Sequence, residues 1–126
     1  MSLNGAGAIR DLENSKGAPM SVYVITEFHA RPGSSGKLID LLRRLVPESL
    51  EHDGCEGVAI RHNQDDPDNI ISLTQWRTRG HYESYLAWRT EIGDTGSFEK
   101  LLDTPMSIRY YDQIDITGRV SGSAGD

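Results

Sequence analysis

Ser72, Thr74 and Trp76 recur at every second residue, so an extended strand turns all three to one face. That face is a strip of hydroxyls ending in a large aromatic ring. The indole either walls a pocket, stacking on a planar ligand and donating its N–H, or packs in a core as large aromatics do. A few residues later, the helical period puts His81, Tyr82, Tyr85, Leu86, Trp88, Arg89 and Ile92 on one broad side of a helix. An arginine in an aromatic face is costly without a partner. Arg89 therefore either pairs with a carboxylate, Glu27 or Asp112, or binds an anionic or enolate oxygen. His81 stands at the helix start, where the dipole disfavours its charged form and leaves an imidazole able to accept a proton; a solvated His is the other reading. Tyr82 and Tyr85 read as core residues with polar tips or as pocket walls. Glu27 and His29, two residues apart on one strand face, form either an acid–base pair or part of an edge or interface.

The elements that must hold these groups follow from apolar periodicity. Residues 21–30 alternate with period two, Val22, Val24, Thr26 and Phe28 on one face and Tyr23, Ile25, Glu27 and His29 on the other. Pro32 and Gly33 end this strand in an elbow. Leu38, Leu41, Leu42, Leu45, Val46 and Leu50 form one stripe, which predicts a helix over 35–52, kinked at Pro47 and stopped by Gly54. Strands are predicted at 57–63 and 69–77, joined by the Asp65-Asp66-Pro67-Asp68-Asn69 turn. Helices at about 80–91 and 96–103 and a strand at 107–116 complete the order. Right-handed connections turn that order into a four-stranded antiparallel sheet with helices on one face. Its other face still carries apolar side chains, and a second copy of the chain would cover it.

The bulk properties narrow the function. The 126 residues suit one domain, and a net charge of −6 argues against nucleic acid or an anionic membrane as partner. Cys55 is the sole cysteine, which rules out an internal disulfide and fits a reducing cytoplasm; it reads as a small buried filler. No apolar run is long enough to span a bilayer. The sequence has no phosphate loop, no CxxC, no HExxH and no glycine fingerprint for a flavin or nicotinamide. Its four histidines have no metal-ligand spacing, so neither metal nor cofactor is expected. Residues 1–20 and 118–126 lack any apolar period and are predicted to be disordered tails around a domain at 21–117.

The strand–elbow–helix start Val22-Tyr23-Val24-Ile25-Thr26-Glu27-Phe28-His29-Ala30-Arg31-Pro32-Gly33, and the strand that opens at Asp65–Asn69 and closes in Gln75-Trp76-Arg77, resemble the antibiotic biosynthesis monooxygenase family. The resemblance implies a ferredoxin-like β-α-β-β-α-β chain that pairs into a dimeric α+β barrel. It also implies a cofactor-independent monooxygenase that oxidises an electron-rich quinol, phenol or anthrone with O2. Members acting on polycyclic aromatics pair a strand Trp with a nearby Asn and Tyr; Trp76 and Tyr82 match, and Ser72 stands where those members have Asn. On this reading Trp76, Tyr82 and His81 are catalytic candidates, and Ser72, Thr74, Tyr85, Trp88 and Arg89 line the substrate. The same fold also implies alternatives, a small-molecule isomerase or a binding module. Haem degradation, another branch, uses an Asn, a Trp and an axial His at places occupied here by Thr26, Tyr85 and Thr95.

Overall fold

The computed structural model describes residues 21–116; the two predicted tails lie outside them. The order is β1 (Val22–His29), α1 (Ser35–Glu51), β2 (Cys55–His62), β3 (Asn69–Trp76), α2 (Arg79–Glu91), α3 (Asp94–Leu101) and β4 (Ser107–Asp112). The strands form one sheet in the order β2-β3-β1-β4, every neighbouring pair antiparallel. This is a ferredoxin-like α+β fold. Its elbow needs Gly33, whose φ of 83° puts it in the left-handed region that an L side chain rarely adopts. The turn before β3 is held by side chains, with Asn63 Oδ1 accepting from the backbone N–H of Asp65 at 2.8 Å and of Asp66 at 3.2 Å.

Several boundaries differ from the sequence reading. β2 starts at Cys55 rather than 57, because a bulge between Cys55 and Gly57 lets the strand pair two residues earlier. β4 ends at Asp112 rather than 116, because Asp112 pairs with Val22, the first residue of β1, and beyond it no strand remains to pair with. Ile114 and Ile116 are accordingly 72% and 83% exposed. α3 runs 94–101 instead of 96–103. Helix α1 passes through Pro47 as a single element. Pro47 and Arg43 are both exposed, so the carbonyl that loses its donor faces water.

Two apolar clusters sit between sheet and helices. One gathers Phe28, Ala30, Leu38, Leu42, Ile70 and Leu102; the other gathers Val22, Val24, Trp76 and Tyr82, with Tyr85, Leu86, Ile108 and Tyr110 against it. Between them the strand register sets Thr26 opposite Ser72 and Val24 opposite Thr74. A band of hydroxyls therefore crosses the middle of an otherwise apolar sheet face. The helix-free face carries Tyr23, Ile25, Ala59, Ile71 and Leu73, all half-buried. There Glu27 lies 3.5 Å from His29 and 3.7 Å from Arg109, so the Glu27–His29 pair belongs to the open face.

Candidate functional site

The hydroxyl band is the floor of a cavity of about 70 Å³ whose walls include Thr26, Ser72, Thr74, Trp76, Tyr82, Tyr85 and Arg89. Leu42, Leu45 and Val46 of α1, Leu86 of α2 and Thr95 and Phe98 of α3 close it from the helix side. A dry cavity of about 150 Å³ is what holds a benzene. An aromatic ligand therefore enters only as a wall gives way. The α3 wall is the most exposed, since none of that helix's residues is fully buried.

Trp76 is fully buried. Its indole N–H donates to Thr74 Oγ1 at 2.9 Å, and that hydroxyl donates to the Val24 carbonyl at 3.3 Å. The indole N–H is thus taken up within its own strand. Tyr82 meets the indole edge-on with centroids 5.6 Å apart, and Tyr85 lies tilted against it at 4.9 Å. Burial pushes the Tyr82 phenol up to about 12, opposed by a hydrogen bond from Thr26 and aided by neighbouring Tyr110 and Tyr85.

That shift has a consequence for stability. Folding favours the neutral phenol, so the stabilisation is complete below the ordinary value near 10 and disappears as pH rises through about 12. The amount at stake is about 2 to 3 kcal/mol. One tyrosine should titrate late in phenolate absorbance, and Tyr82→Phe should remove that late step and flatten the alkaline loss of stability. A Tyr82→Phe protein whose alkaline titration matches the parent would contradict the assignment.

Arg89 corrects the ion pairs expected from sequence. Its partners are Glu48 at 2.8 Å and Asp94 at 2.7 Å, rather than Glu27 or Asp112. The reason is direction: α2 packs this side chain toward α1 and the start of α3, while Glu27 points to the other face of the sheet. Nη2 donates to the Leu45 carbonyl at 3.0 Å and to Ser49 Oγ at 3.2 Å, and Nε donates to the Tyr85 phenol at 3.0 Å. All five guanidinium N–H donors are therefore spent within the chain. Burial pulls the guanidinium's pKa down, but the bonds to Tyr85, Glu48 and Asp94 outweigh it and leave it above the ordinary value. Arg89 lines the cavity as a brace between three helices, with no N–H left for an anion while these bonds hold.

Two further candidates lie apart from the cavity. Trp88 packs against the Arg89 guanidinium at 4.7 Å and the His52 ring at 5.2 Å. His81 lines a separate open groove with His52, Asp53, Thr78 and Ser84. Its Nδ1 bonds to Thr78 Oγ1 at 2.7 Å and its Nε2 is 3.6 Å from Asp53. Its ring lies so close to Gly54, whose φ is 86°, that a Cβ there would collide with it.

The residues that sequence reasoning left unassigned are Ser49, Thr26 and His52. Ser49 is buried in α1 and joins Tyr85 to Arg89; as a hydroxyl on the Leu38–Leu42–Leu45 stripe it was a legible exception to an apolar pattern. The His52 ring contacts Trp76, Tyr85 and Trp88, and its Nδ1 is buried with no hydrogen-bond partner among the described residues. No three metal-ligating side chains converge among those residues. No helix among them is long and apolar enough to cross a membrane.

The site is thus a small cavity, lined by aromatic rings and hydroxyls, under the helices of a ferredoxin-like α+β sheet. Residues 21–90 match the antibiotic biosynthesis monooxygenase family, and the chain belongs to it. The protein named "Probable quinol monooxygenase YgiN" from Escherichia coli K12 is 30% identical over 73 residues, spanning 50% of this chain and 70% of that protein. Rv0793 from Mycobacterium tuberculosis superposes with a TM-score of 0.68 at 19% identity, covering 78% of this chain and 99% of that one. PA3566 from Pseudomonas aeruginosa gives 0.63 at 23% identity, covering 75% and 94%. These two likenesses concern the fold.

Proposed function

We propose that the protein is a cofactor-independent monooxygenase that oxidises an electron-rich aromatic of quinol, phenol or anthrone type with O2. The observation that carries this reading is the hydroxyl band of Thr26, Ser72 and Thr74 beneath Trp76, Tyr82 and Tyr85 inside an apolar cavity. Family membership and the quinol monooxygenase name of the Escherichia coli relative support it. In such a site a flat substrate lies against the indole face with its oxygens among the hydroxyls. Once deprotonated, its anion passes an electron to O2 directly. One oxygen atom enters the substrate, the other leaves as water, and all four electrons come from the substrate. The protein accelerates this by excluding water and by holding hydrogen bonds where charge develops.

The working species on this reading is a dimer joined through the helix-free face, where Ile25, Ile71 and Leu73 remain half-buried in the single chain. The test is oxygen uptake across a panel of quinols, phenols and anthrones, on material whose mass by light scattering is twice 14.0 kDa. Uptake with at least one of them, with product carrying one atom of labelled O2, is expected. Binding without uptake would replace the reading with an isomerase or a binding module, and a monomer at micromolar concentration would remove the dimer.

A further inference from the structure

We propose that Tyr85 makes this cavity selective for the hydroxyl-bearing, reduced form of its aromatic ligand over the carbonyl form, with Ser49 and Arg89 as the positioning residues that fix the direction of its hydrogen bond. This rests on the quinol reading above and deepens it.

The direction follows from counting hydrogens. Arg89 has only donors, so its Nη2 gives a hydrogen to Ser49 Oγ at 3.2 Å and its Nε gives one to the Tyr85 oxygen at 3.0 Å. The Ser49 hydroxyl donates to the Leu45 carbonyl at 3.3 Å. With that hydrogen placed on Leu45, the 2.7 Å contact between Ser49 and Tyr85, in which either oxygen could donate, takes the tyrosine's hydrogen, the arrangement that leaves no hydrogen of the three groups unpaired. Tyr85 is left with no hydrogen and one free lone pair. As a wall of the cavity, it presents an acceptor and nothing else. Tyr82 stands on the same cavity as the complementary group, a phenol that burial keeps neutral and so in possession of its hydrogen.

A quinol satisfies both, giving an O–H to Tyr85 and offering a second oxygen to Tyr82. A quinone has only lone pairs. Against Tyr85 it would set acceptor to acceptor and leave a buried carbonyl unpaired, the kind of mismatch by which polar sites reject analogues. The same asymmetry favours release of a product richer in carbonyls than the substrate.

The test is anaerobic calorimetry with tetramethyl-1,4-benzoquinol and its quinone, a single-ring pair whose ring carbons are fully substituted and so cannot alkylate Cys55. The parent chain should bind the quinol at least about tenfold more tightly than the quinone. In Ser49→Ala the Tyr85 hydrogen loses its acceptor and can turn into the cavity. Quinone affinity should then rise and the ratio fall to about one, in a protein that melts a few degrees lower for the loss of an Arg89 acceptor but still in one transition. In Tyr85→Phe the ratio should also fall to about one, through weaker quinol binding. A parent ratio near one, an unchanged ratio in a folded Ser49→Ala, or failure of the parent to bind either compound each overturns the proposal. Oxygen uptake separates the two levels. Selectivity without uptake sinks the monooxygenase reading and leaves this one standing; uptake without selectivity does the reverse.

Discussion

Arg89→Met is expected to destabilise the domain by about 3 to 5 kcal/mol, the range for removing one partner of a buried ion pair. Arg89 is 3% exposed and bonds Glu48, Asp94, Ser49, Tyr85 and the Leu45 carbonyl at once. Methionine fills part of the volume but donates nothing, so a mostly buried Asp94 carboxylate, at 17% side-chain exposure, loses its cation. A small domain's melting temperature moves about 4 to 8 °C per kcal/mol, so a fall of at least about 12 °C is expected. Glu48→Gln is the companion, because Glu48 is 57% exposed and Asp94 still holds the guanidinium. Its cost should stay below about 1 kcal/mol. Similar losses in the two variants would mean that the brace is not what stabilises the helix layer.

The second large effect is at Trp76. It is 0% exposed, and its ring is in contact with those of Tyr82, Tyr85 and His52. Trp76→Ala opens a void continuous with the existing cavity and should cost about 3 to 5 kcal/mol. Trp76→Phe retains most of the buried ring but leaves Thr74 Oγ1 without its donor, and should cost about 1 to 2 kcal/mol. If the indole is the surface on which the substrate lies, Trp76→Phe should also lower kcat/KM for oxygen uptake by at least about tenfold, equivalent to about 1.4 kcal/mol of transition-state stabilisation. A folded Trp76→Phe protein with parental kcat/KM would place the substrate elsewhere.

Much of the scaffold around these residues is legible without coordinates. Val22, Val24, Thr26 and Phe28 alternate because one strand face is buried, and that alternation survives in the sheet as a face buried at each of the four. The Leu stripe of α1 is a helix period, and Leu38, Leu41, Leu42 and Leu45 are all buried. Strand ends were less legible. Ile114 and Ile116 continue the alternation of β4, yet they have no strand beside them because β1 begins at Val22. Where a ladder stops depends on the length of the neighbour as much as on the strand itself.

The candidate site divides the same way. Spacing alone set Ser72, Thr74 and Trp76 on one strand face and Tyr82, Tyr85 and Arg89 on one helix side, since strand and helix periods are local properties of the backbone. The face of the sheet they share, the Thr26–Ser72 register and the closing of α1 and α3 over them came from packing between segments distant in sequence. The Arg89 partners are the clearest case: Asp94 is five residues away, but Glu48 and Ser49 lie on another helix, and only the crossing of α1 and α2 brings them within 2.8 and 3.2 Å. His81 and Trp88 share the helix side of Tyr82, yet a helix side is broader than the cavity mouth, so packing turned one toward an open groove and the other toward His52. The sequence by itself determined the order of elements and which residues could share a face, because those follow from backbone periods; the tertiary structure alone decided which of them meet and which donors remain free, because hydrogen bonds across segments depend on ångström-scale placement that no local period encodes.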